Sequence, residues 1–113
     1  MAEIVYIDVA EGIKRVMNNA KLYVKLLVKF KDDNNLTELN EALAAGDLQK
    51  AQASAHTLKG LAANLSFIEL YKQSLEIETQ IKAGSVNPDQ AEILKDVYTQ
   101  TLAEADKVIE QNA

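Results

Sequence analysis

A single histidine occurs in the chain, and the residues that follow it suggest chemistry. His56 precedes Lys59 by three positions and Gly60 by four. A neutral imidazole is a nucleophile, and a lysine on the next turn offsets charge on any anion attached to it. The pair describes a phosphoryl-accepting site. Gly60 adds access. On a helix the residue four positions on leans back over its predecessor, so glycine there clears volume beside the ring. Glycine in a helix interior costs roughly 1 kcal/mol relative to alanine, and nothing near Gly60 marks a helix end. Ala63 keeps the following turn low on the same side.

Each feature alone has a plainer explanation. A lone helical histidine is most often a solvated surface residue, and a mid-helix glycine more often marks a close helix–helix contact. A lysine three residues away is nearly uninformative. Their occurrence together, in one register, singles the segment out.

The elements that must position these residues are helical throughout. Asp8-Val9-Ala10-Glu11 reads as a capping box opening a short helix to about Met17. Asn18-Asn19 interrupts it, and a second helix runs to about Lys31 with Tyr23, Leu26, Leu27 and Phe30 on one stripe. Asp32-Asp33-Asn34-Asn35 is a polar break before a short helix that Gly46 closes in a left-handed conformation. Asp47 caps the helix carrying His56, whose apolar residues Leu48, Ala51, Ala55, Leu58, Ala62 and Leu65 alternate steps of three and four. Ser66-Phe67-Ile68-Glu69 reads as another capping box. Its helix carries Phe67, Leu70, Ser74, Ile77 and Ile81 inward, with Ile68, Tyr71 and Leu75 widening the stripe. Gly84 ends it. Asn87-Pro88-Asp89-Gln90 opens the last helix, with Leu94, Val97, Thr101, Ala105 and Val108 facing in. No β-alternation survives the comparison. The expected fold is all-α, an antiparallel up-down four-helix bundle with short additional N-terminal helices, as one domain over residues 1–113.

Composition narrows the function. The 113 residues hold 48 % hydrophobic and 26 % charged side chains, as a folded globular domain does. Twelve basic against seventeen acidic residues give a formal charge of −5, which argues against nucleic acid as a partner. With no cysteine, thiol catalysis and thiolate metal sites are excluded; with one histidine, a multi-histidine metal site is disfavoured. No metal and no cofactor is expected. No apolar stretch is long enough to cross a bilayer, and the start Met1-Ala2-Glu3-Ile4 lacks a basic and apolar leader. A cytoplasmic monomer is expected, because the helix seams use most of the apolar residues. No Gly-rich phosphate loop suggests a nucleotide site.

The run Ala55-His56-Thr57-Leu58-Lys59-Gly60-Leu61-Ala62-Ala63-Asn64-Leu65 resembles the signature of the histidine-containing phosphotransfer (HPt) domain, whose core is Ala-His-x-Leu-Lys-Gly followed by small residues. Ile7-Asp8-Val9-Ala10-Glu11-Gly12-Ile13 is similar to that family's Ile-Asp-x-x-x-Gly-Leu opening. Tyr23, Leu26, Leu27 and Phe30 match its Tyr-x-x-Leu-Leu-x-x-Phe helix, and Ile77-Glu78 takes the place of a Leu-Glu pair facing the histidine. The resemblance covers about residues 4–83, with the last helix agreeing only in pattern.

The resemblance implies a phosphorelay intermediate without an ATP site. His56 would accept a phosphoryl group from the aspartyl phosphate of one receiver domain and pass it to another. Lys59 would stabilise the phosphoryl charge, Gly60 keep the approach open, and Glu78 orient the imidazole. Partners would be receiver domains of response regulators or a hybrid sensor histidine kinase. Gln52, Ala63, Ser66 and Phe67 are candidates for the docking rim. One departure stands out: the family's glycine ten residues after the histidine, and the small residue after it, are Ser66-Phe67 here. A competing reading is a helical docking module that binds a receiver or kinase and carries no phosphate. A start at Met1 suggests a free-standing protein over an excised domain.

Overall fold

Polar side chains at the predicted breaks close the backbone donors that each helix start leaves open. Asp8 accepts from the amide of Glu11 at 3.1 Å, Asp47 from Lys50 at 3.1 Å and Asn87 from Asp89 at 2.9 Å. Asn19 does the same for Leu22 at 3.0 Å. Gly46 and Gly84 take the left-handed conformation, with φ of 74° and 81°. The computed structural model describes residues 4–112, so the reading of the start at Met1 lies outside the described residues. Among them are six helices: α1 (Val9–Arg15), α2 (Ala20–Phe30), α3 (Asn35–Ala45), α4 (Leu48–Leu65), α5 (Ile68–Lys82) and α6 (Pro88–Gln111).

Two-residue connections fold α3 onto α4 and α4 onto α5 as antiparallel neighbours. The α4–α5 contact is the most extensive, α5 packs on α6, and α6 on α2, which returns to α4. These four helices form the bundle; α3 lies beside α4, and α1 bridges α2 and α4. None of the helices is long and apolar enough to cross a membrane. Phe67, Leu70, Ser74, Ile77 and Ile81 on the α5 seam are all buried, as are Ala51, Ala55, Leu58, Ala62 and Leu65 on α4.

Several expectations fail at the edges of these seams. Leu48 is exposed, and Ser54, which lies off the expected seam, is buried. Tyr71 and Leu75 are exposed, so α5 buries a narrower stripe than the one expected. On α6 Val97 is only half-buried, and the ring taken inside is that of Tyr98, tilted on Phe30 at 5.6 Å.

The largest departure is the α4–α5 turn. Ser66 does not cap α5: it closes α4 with φ of 59°, and α5 begins at Ile68 with Phe67 before it and no side-chain cap. The amide of Phe67 reaches back to the carbonyl of Ala62 at 2.8 Å, a left-handed helix closure. Backbone from the start of the chain completes the turn. Asp8 N–H donates to the Ser66 carbonyl and Ile68 N–H to that of Tyr6, both at 2.9 Å, so Ile7 pairs with Phe67 as a short antiparallel strap. The Tyr23 hydroxyl donates to the Leu65 carbonyl at 2.7 Å. Burial, with the Asp8 carboxylate nearby, pushes that phenol up to about 12, so it stays a donor. Gly12 makes room, since a Cβ there would come within 3.0 Å of the Tyr23 ring.

A serine in the left-handed region carries strain of roughly 1–2 kcal/mol, and the buried Ser66 Oγ has no hydrogen-bond partner. Ser66→Gly removes both defects, against some loss of unfolded-chain restraint, and is expected to stabilise the protein by about 1 kcal/mol in denaturant titrations. A destabilised variant would show that the hydroxyl contributes a bond in solution.

Candidate functional site

The short turn sets α4 against α5 so that the exposed edge of one helix faces the buried edge of the other. On α4 the His56 side chain is 70 % exposed, while Glu78 opposite it on α5 is 2 % exposed. The two meet at 2.9 Å between Nδ1 and Oε2. Lys59 crosses the same interface and donates from Nζ to Oε1 of Glu78 at 2.6 Å. Lys82, one turn after Glu78 on α5, places its Nζ 4.0 Å from Oε2.

The electrostatics follow from this convergence. Burial pushes the Glu78 carboxyl up, but hydrogen bonds from Lys59 and His56 and the charges of Lys59 and Lys82 outweigh it. The net shift is down. An ionised carboxylate only accepts, so the proton of a neutral His56 ring belongs on Nδ1. That leaves the lone pair on Nε2, the nitrogen that Glu78 does not touch. A buried carboxylate therefore selects the tautomer of an exposed imidazole.

Gly60 has an unambiguous setting. It is exposed, and a Cβ built on it would meet no heavy atom within 4 Å. The glycine does not serve a helix–helix contact, and the volume beside His56 is open.

The sequence-predicted residues divide into two groups. His56, Lys59 and Glu78 are brought together, with Gly60 on the next turn of α4. Lys59 is not a free charge beside the ring, since its ammonium group is bound to Glu78. Gln52 and Ala63 are half-buried on α4. Phe67 and Ser66 are not at a docking rim. Phe67 is wholly buried with its ring edge-on to Phe30 at 4.9 Å, and Ser66 lies under the N-terminal strap. The strap converts the expected helix start into a closed turn, which draws the phenyl ring into the core. Lys82 escaped the sequence reading. Its spacing of four from Glu78 was the available signal.

A cavity of about 710 Å³ lies elsewhere: Leu26 and Phe30 of α2 and Leu61 and Leu65 of α4 line it, and neither His56, Lys59 nor Glu78 does. The imidazole stands on an open surface, suited to a reaction partner too large to enter a pocket.

Comparison with protein families matches residues 26–110 to the Hpt domain. The match includes α6, where the signature residues are few, and begins within α2. No curated protein and no solved structure matches the chain.

The lowered Glu78 pKa has a signed consequence for stability. A carboxyl whose folded value lies below its unfolded one contributes above the unfolded pKa and loses that contribution as pH falls through the folded one. Glu78→Gln is expected to cost about 1–3 kcal/mol near neutral pH, and the gap to the parent is expected to close in acid. Unfolding followed across pH checks this; a gap independent of pH would contradict it.

Proposed function

The chain belongs to the Hpt domain family, whose members carry out histidine phosphotransfer in two-component signalling, and on that premise we propose that His56 is the phosphoacceptor of a relay between receiver domains. The observation that carries this reading is an imidazole mostly in solvent, with Nδ1 satisfied by a buried carboxylate and open volume at Gly60.

The reaction follows from the tautomer. The Nε2 lone pair attacks the phosphorus of a receiver's aspartyl phosphate in line, forming an N–P bond. The anhydride P–O bond breaks, and its electron pair leaves with the receiver's carboxylate. The Nδ1 proton stays on the ring, which becomes cationic, and Glu78 stabilises that charge across the 2.9 Å contact. Transfer onward runs the same steps in reverse to a second receiver aspartate. Lys59 offsets the phosphoryl charge. Gly60 leaves room for the incoming domain, and Gln52 and Ala63 border the approach. Phosphotransfer of this kind makes the chain an intermediate in signalling, and a sensor kinase or another receiver would supply the phosphoryl group.

Incubation with phosphorylated receiver domains is expected to place acid-labile label on His56, and incubation with ATP alone is expected to place none. His56→Gln is expected to take no label while its circular dichroism remains helical. Label on that variant would overturn the assignment. A protein that binds phosphorylated receivers without ever taking label would be a docking module.

Gly60 separates access from folding. Gly60→Ala is expected to raise stability by about 1 kcal/mol through helix propensity and to retain acceptance. Gly60→Phe is expected to slow acceptance by on the order of tenfold or more, by holding the partner off line. Equal transfer rates for both variants would remove the steric role.

A further inference from the structure

At rest Glu78 has more cationic partners than its charge requires. Lys59 occupies Oε1, the His56 N–H occupies Oε2, and Lys82 waits 4.0 Å from Oε2 with its side chain 56 % exposed. Among the described residues Lys82 has no other ion pair. One carboxylate and two ammonium groups leave one positive charge in surplus beside the imidazole.

That surplus bears on the chemistry. A phosphoryl group on Nε2 attracts Lys59, the cation on the turn after His56, yet Lys59 is already bound to Glu78. Its departure would leave Oε1 of a carboxylate that is only 2 % exposed without its 2.6 Å donor. A buried charge deprived of its partner is strongly disfavoured. Glu78 would tend to protonate, and the Nδ1–H contact that stabilises the cationic ring would weaken.

We propose that Lys82 is a positioning residue that exchanges with Lys59: as Lys59 turns to the phosphoryl oxygens, Lys82 closes onto Glu78 and keeps it ionised. The inference rests on the phosphoacceptor role of His56 and concerns how the charge of that same site is maintained through the reaction. The move is small for a flexible four-carbon stem, and the i, i+4 spacing on α5 puts the lysine on the C-terminal side of the glutamate, the favoured orientation. When the phosphoryl group leaves, Lys59 returns and Lys82 is released to solvent.

Chemical phosphorylation with phosphoramidate, which needs no receiver, tests the exchange in the full chain, together with 15N shifts of the His56 ring. In Lys82→Gln the unphosphorylated ring is expected to keep its Nδ1–H tautomer, because Lys59 still holds Glu78. The phosphorylated form is expected to lose its phosphoryl group about two- to fivefold more slowly, the scale of an ion pair with one exposed member, because a ring that gives up its Nδ1 proton is the poorer leaving group. Lys82→Arg is expected to restore the lifetime. In a Lys59→Gln background Lys82 holds Glu78 from the outset, so adding Lys82→Gln is expected to disturb the tautomer even without phosphate.

Equal lifetimes for the parent and Lys82→Gln would overturn the exchange. So would an equal disturbance of the unphosphorylated ring by Lys82→Gln in both backgrounds, the mark of a simple field effect. No label on His56 in the unsubstituted chain would overturn the phosphoacceptor role and the exchange with it; label with an unchanged Lys82→Gln lifetime would overturn the exchange alone.

Discussion

A carboxylate almost wholly removed from water stays ionised only if its neighbours hold it so, and the Glu78 site depends on that condition. Its two oxygens meet a lysine and a histidine from the opposite helix at 2.6 and 2.9 Å. Such distances require α4 and α5 to keep one register along their length. The register comes from a two-residue turn, and the turn is held by backbone from Tyr6 and Asp8 and by the hydroxyl of Tyr23. Packing far from the imidazole thus determines which ring nitrogen carries a lone pair.

Two glycines inside helices show how the same residue type answers opposite needs. Gly12 in α1 is buried because the Tyr23 ring occupies the space a methyl group would take. A Cβ on Gly60 in α4 would meet no heavy atom within 4 Å. Gly60 thus costs helix stability without relieving a contact inside the folded chain. Ser66 is the converse case, where a residue with a Cβ accepts a left-handed backbone that glycine would take freely.

What the sequence made legible was mainly local or periodic. The caps at Asp8, Asp47 and Asn87 depend on residues two or three positions apart, and the α5 seam from Phe67 to Ile81 follows helical spacing. Gly60 was readable because its cost has no local compensation. The misreading of Ser66 and Phe67 has a different origin. Ser-Phe-Ile-Glu is a credible capping box taken alone, but a segment near the start of the chain competes for the same backbone groups and wins. Tyr98 was missed for a similar reason: its place inside depends on Phe30 of α2. Lys82 has the right spacing from Glu78, yet the spacing acquires meaning only once the carboxylate is known to be buried.

The strap at Ile7 also bears on the order in which the molecule assembles. The α4–α5 hairpin joins residues adjacent in sequence, so its closure entropy is small. The pairing of Asp8 with Ser66 and of Tyr23 with Leu65, the latter across 42 residues, closes far longer loops. The hairpin is therefore expected to condense first, with its last turn provisional, and the N-terminal segment to latch it afterwards. A nascent chain emerging from its N-terminus holds the latch before the hairpin exists, and must keep that short apolar stretch soluble until the rest arrives.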